Sequence, residues 1–251
     1  MIIALLIFSV VAAVLTVLLF KPTDSNRLKL IIAFSGSYLL SITALHLLPE
    51  VFVNTGRGPY FGAFILVGFF IQVMLEYLSG GIEHGHVHHD KSSAVPIGLL
   101  VGLCLHAFLE GLPLVDAAEE HDHSHSHDHS HSHDGGEAWQ SGLLWGIVLH
   151  KYPVAMVFFS MLLNSGMNKL KAFALLAVFG AMAPLGTLVG GADIIDNFHR
   201  ESLAIVIGIF LHVSTTILFE SSEGHKFNAY KMFAITLGLA MAGIGMFFHI
   251  H

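Results

Sequence analysis

The fold class predicted for this chain is all-α: a polytopic membrane bundle of about eight helices. Three observations predict it. Of 251 residues, 54% are hydrophobic and only 12% charged, about half the charged share of an ordinary soluble domain. The apolar residues gather in eight runs, each near the roughly 20 residues that a helix needs to cross hydrocarbon. The short alternating segments of a membrane β-barrel are absent.

Taken in order, the runs are Ile2–Phe20, Leu30–Val53, Tyr60–Leu78, Ala94–Val115, Ala138–Leu163, Ala172–Gly191, Ser202–Phe219 and Ala229–Phe248. The first lacks a basic leader and a small-residue cleavage site, so it is expected to be a spanning helix rather than a removed signal peptide. Basic residues fall mainly in alternate loops: Lys21, Arg27 and Lys29, then Lys91, then Lys169 and Lys171, then Lys226 and Lys231. The opposite loops carry only Arg57 and Arg200. By the positive-inside rule the first set is cytoplasmic and both termini lie outside. The expected organisation is one transmembrane domain, 1–251, in a cell membrane.

The single cysteine, Cys104, excludes an internal disulfide and a cysteine-based zinc finger. Two loops are rich in histidine instead. One, EHGHVHHD within 83–91, falls on the cytoplasmic side. The other, within 117–137, holds seven histidines at every second position between Glu119 and Asp134, and falls outside. Such a tract cannot bury a core and is expected to be disordered. Imidazole and carboxylate are good ligands for zinc and similar ions, so a metal-gathering role is expected of it.

Ionisable groups inside the spans carry the functional information, because each costs about 2.5–3.5 kcal/mol to insert at the centre of a helix. The second span holds His46 and Glu50 (LHLLPE), the fourth His106 and Glu110 (LHAFLEGLP), the fifth His150 and Lys151 (LHKYPVA) and the seventh His212, with Glu220 near its end. His46/Glu50 and His106/Glu110 are i,i+4 pairs, each projecting from one helix face. His106 and His150 lie near the middle of consecutive antiparallel spans, where they can meet. Pro49, Pro113, Pro153 and Pro184 are expected to interrupt four spans and free carbonyls beside His46 and His150. Broken helices at membrane depth belong where they line a cavity. The residues read as a pathway for a divalent metal, with His46, Glu50, His212, Glu220 and His225 along it. A lone membrane histidine is as often a helix–helix hydrogen-bonding residue; three spans with histidines at similar depth are harder to read so.

Four short stretches, spread over the second, fourth, fifth and sixth spans, resemble the ZIP (Zrt-, Irt-like protein) family of metal transporters. His106–Gly111 resembles the fourth-helix signature, His150–Pro153 the fifth, Gly36–Glu50 (GSYLLSITALHLLPE) the second helix and Ala183–Gly186 the proline-bearing part of the sixth. The resemblance implies an eight-helix transporter with a metal site between helices four and five, held by His106, Glu110 and His150. A second, adjoining site is not implied, since Ala107, Lys151, Val154 and Ala183 stand where its ligands usually are. Lys151 is then placed to substitute for the missing cation and to pair with Glu110. Zn2+ is the expected cargo, with Fe2+, Mn2+ and Cd2+ suited to similar ligands. They are substrates, not prosthetic groups. The resemblance implies import and frequent homodimers; partners are otherwise the metal ion and the bilayer, with no nucleic acid. The chain is not expected to be an enzyme. The alternatives are an intramembrane zinc-dependent hydrolase, against which the lack of HExxH counts, and a non-transporting metal sensor. A cation diffusion facilitator would carry paired HxxxD-like motifs and a cytoplasmic domain; neither is found.

Overall fold

The computed structural model of the protein describes residues 1–20, 25–53, 56–79, 97–114, 134–192, 198–220 and 229–249. Every regular element among them is helical: α1 (Ile2–Phe20), α2 (Ser25–Ile42), a π turn (Thr43–Leu47), α3 (Leu48–Phe52), α4 (Gly58–Ser79), α5 (Ile97–Gly111), α6 (Asp134–Asn164), α7 (Lys169–Gly190), α8 (His199–Glu220) and α9 (Ala229–His249). Hydrocarbon offers a backbone amide no water, so only a structure that satisfies its own N–H and C=O groups can sit in it.

Six helices among the described residues are long and apolar enough to cross a membrane: Ile2–Phe20, Arg27–Phe52, Gly58–Leu78, Gln140–Asn164, Lys169–Gly190 and His199–Phe219. Two shorter apolar helices, Ile97–Gly111 and Ala229–Ile244, accompany them. Phe8, Leu19, Phe20, Leu66, Phe70, Leu188 and Phe233 point outward and exposed. A surface so apolar is stable only against lipid, which makes the chain an integral membrane protein.

Burial ranks the helices. The window Gln140–Asn164 is 72% buried and Gly58–Leu78 only 22%, so α6 is the central helix and α4 a peripheral one. The helices pack in two groups. In one, α4 lies on α8, α2 on α8 and α9 on α2; in the other, α5 lies on α7, and α1 on α6 and α7. Contacts of α2 with α6 and of α4 with α5 join the groups.

Small residues set the closest approaches, as expected where lipid competes with side chains for apolar contact. A Cβ added at Gly186 or Gly190 of α7 would run into the carbonyls of Phe108 or Leu112, and one at Gly111 into that of Ala183. Glycines 68 and 208 bring α4 and α8 together in the same way. Hydroxyls are satisfied locally: Ser9, Ser35, Ser41, Thr43, Thr187 and Ser214 each donate to a carbonyl three or four residues back. Thr16 of α1 also meets the Tyr152 hydroxyl of α6 at 2.9 Å.

The prolines act less uniformly than expected. Pro153 and Pro184 do lie inside helices, α6 and α7. Pro49 lies within the continuous span Arg27–Phe52, where the helix loosens into the π turn that contains His46 just before it. Pro113 follows the end of α5, where the Leu114 N–H donates to Gly111 at 3.0 Å, so it closes that helix rather than breaking it.

Candidate metal centre

Two helices supply the cluster. His106 and Glu110 project one turn apart from α5, and His150 projects from the central helix α6. The three are 2%, 2% and 1% exposed. One ligand atom from each lies within 4.8 Å of the others. His106 Nε2 and Glu110 Oε1 are the closest, at 2.9 Å, and the two imidazole rings lie 6.3 Å apart, inclined at 78°. Donors bound to one zinc at 2.0–2.2 Å in a tetrahedron are roughly 3.3 Å apart. The donors, 2.9 Å apart at one pair and all within 4.8 Å, bracket that spacing, so side-chain adjustments would bring the three onto one ion.

The position of α5 follows from its glycine contacts with α7, which bring backbone against backbone. Beside the amide of Gln72, which reaches His106 from α4, several nearby positions in the chain are apolar. Ala107, Val154 and Ala183 are buried in the hydrophobic core, and Thr187 spends its hydroxyl on the Ala183 carbonyl at 3.1 Å. One carboxyl group, Glu110, therefore faces two imidazoles, all three buried. That combination suits a soft-to-borderline divalent cation.

Lys151 does not pair with Glu110 among the described residues. Its Nζ is buried without a hydrogen-bonding partner there and stands 4.4 Å from the centre of the Phe179 ring on α7. A helix turns about 100° per residue, so when His150 faces α5, Lys151 is carried toward a different neighbour.

The remaining sequence candidates stand apart. His46, half-buried in the π turn, and Glu50, half-buried in α3, do not join the cluster. His212 of α8 is engaged elsewhere: its Nε2 meets Glu76 Oε2 of α4, and Phe69 packs edge-on to its ring at 4.8 Å. The side chain of Glu220 and all of His225 lie outside the described residues. So do the loop 83–91 and residues 117–133 of the second histidine tract, while α6 takes in the last residues of the 117–137 stretch.

Sequence reasoning passed over two residues of the third span, Gln72 and Glu76. Gln72 is fully buried and its Oε1 lies 2.8 Å from His106 Nδ1. The signal was present: in IQVMLE the two polar groups stand four apart in an otherwise apolar run, the same spacing as His106 and Glu110. No protein-family model matches the chain.

Proposed function

We propose that the protein is a transporter of divalent transition metal, with zinc as its main cargo, and that His106, Glu110 and His150 form the station where the ion pauses while crossing. The observation that carries this reading is the convergence of two imidazoles and a carboxylate, all buried, from neighbouring apolar helices. Burying such groups in a membrane protein is costly and marks ion pathways more often than packing.

On this reading the chain crosses the membrane eight times with both termini outside, as a divergent ZIP-type carrier with one metal site. Metal gathered by the external histidine tract passes His46 and Glu50, binds the cluster partly dehydrated, and leaves inward past Glu220 and His225 to the HGHVHH loop. Import and homodimerisation rest on the resemblance alone. Neutral imidazole and ionised carboxylate are the binding forms, so protons compete with metal for the site.

Uptake of radioactive zinc into proteoliposomes is the direct test. His106→Ala, Glu110→Ala and His150→Ala are each expected to lower uptake tenfold or more. Competition by iron, manganese and cadmium ranks the cargoes. Full uptake by Glu110→Ala, together with loss of uptake on deleting the histidine tract, would move the site elsewhere.

A further inference from the structure

The two ring nitrogens of His106 have polar neighbours of different kinds. Nε2 looks at Glu110 Oε1 across 2.9 Å. Nδ1 lies 2.8 Å from the amide oxygen of Gln72, on α4. An amide oxygen only accepts, so the proton in that bond belongs to Nδ1. The neutral ring then has its bare nitrogen at Nε2, on the side of Glu110 and His150. A histidine with its proton at Nε2 would turn an N–H toward Glu110 and offer a metal ion no lone pair there.

The helix that supplies Gln72 makes this contact notable. The α4 helix is the most lipid-facing of the long spans, with Leu66, Val67, Phe70 and Met74 exposed. Gln72 is nonetheless completely buried, on the side of α4 that meets α5. It also belongs to the other packing group, so the bond joins the two halves of the bundle at the cluster itself.

We infer that Gln72 is a positioning residue: its side-chain oxygen holds the Nδ1 proton of His106 and so keeps Nε2 bare for the metal ion. The inference rests on the proposed metal site and adds to it a residue from a third helix. Partners of this kind on the far nitrogen of a ligating histidine are worth 10–100-fold in metal affinity.

The test uses the full-length protein in detergent with two readouts. Cobalt(II) absorption gives affinity, and 15N NMR of labelled histidine rings gives the tautomer of His106, assigned with His106→Ala. Wild type is expected to bind cobalt and to hold its ring proton at Nδ1. Gln72→Leu should lose 10–100-fold in affinity and show mixed tautomers, while Gln72→Glu, which keeps an accepting oxygen, should retain most of the affinity. If wild type binds no cobalt, the metal site itself fails. If it binds cobalt but Gln72→Leu matches it in affinity and tautomer, the role of Gln72 fails and the site stands. Should Gln72→Leu not fold, the wild-type spectrum decides: a ring proton at Nε2 overturns the inference.

Discussion

Lys151 holds its ammonium nitrogen 4.4 Å from the centre of the Phe179 ring, one residue along α6 from His150 and 1% exposed. A cation over a ring face is attracted by the ring quadrupole, more so when desolvated. A positive charge on Lys151, the residue next to His150, also opposes an incoming cation at the cluster. Even roughly 10 Å from a divalent ion, a unit charge at an effective dielectric of about 20 contributes about 3 kcal/mol of repulsion. Lys151→Met is therefore expected to tighten cobalt(II) binding tenfold or more, as read by optical titration. Unchanged or weaker binding would mean that the lysine lies too far from the cluster to be felt, or supports its geometry.

The second prediction concerns the seam between α5 and α7. Gly186 lies against the Phe108 carbonyl, and α5 carries two of the three cluster residues. Gly186→Val must push the helices apart, at about 1–3 kcal/mol for overpacking, and should weaken metal binding as well. Gly62→Ala is the control, because nothing lies within 4 Å of a Cβ there, and the change should leave both stability and binding near wild type. Thermal unfolding in detergent measures the first and cobalt titration the second. A Gly186 variant that loses stability but keeps full affinity would separate the seam from the site.

Much of this arrangement is legible in the residues before any coordinates. Spans announce themselves because hydrocarbon demands about 20 apolar residues and leaves little freedom about where they occur. The cluster is legible too, since i,i+4 spacing puts His106 and Glu110 on one face and a short step in chain order brings in His150. Partner choice is another matter. That α4 lies on α8 depends on Gly68 meeting the Ile205 carbonyl and Gly208 that of Ile65, long-range facts with no local pattern. Gln72 and Glu76 escaped notice for the same reason: their spacing is visible, but their histidine partners are not. The direction of Lys151 is likewise set by what its helix leans on, not by its neighbours in sequence.

The third prediction follows from Glu76 and His212, which join α4 to α8 through Oε2 and Nε2. Both side chains are partly exposed, at 24% and 13%, so the pair is not sealed from its surroundings. Polar contacts between membrane helices average about 0.6 kcal/mol and reach about 1.7 kcal/mol in double-mutant cycles. Glu76→Gln, His212→Phe and the double variant should give a coupling energy near 1 kcal/mol in unfolding experiments. Since neither residue belongs to the cluster, cobalt affinity should hold. A coupling near zero would leave the pair as mere proximity; a large loss of affinity would draw it into the metal pathway.

The fourth prediction is a pH dependence whose sign follows from the ligands. An imidazole binds metal through an unprotonated nitrogen, and its ordinary pKa is about 6.5. Protons and metal thus compete for His106 Nε2 and for one nitrogen of His150, so affinity is expected to fall as the solution is made acidic. Each histidine adds one competing proton, so on the acid side the binding constant should fall more steeply with pH than for a single-histidine site. His150→Ala removes one of these protons along with one ligand. The variant should bind more weakly at every pH, but its dependence on pH should be shallower. Cobalt titrations between pH 5 and 8 on both proteins measure the two slopes. Equal slopes would show that His150 does not lose a proton to the metal, and the cluster would have to be redrawn around His106 and Glu110 alone.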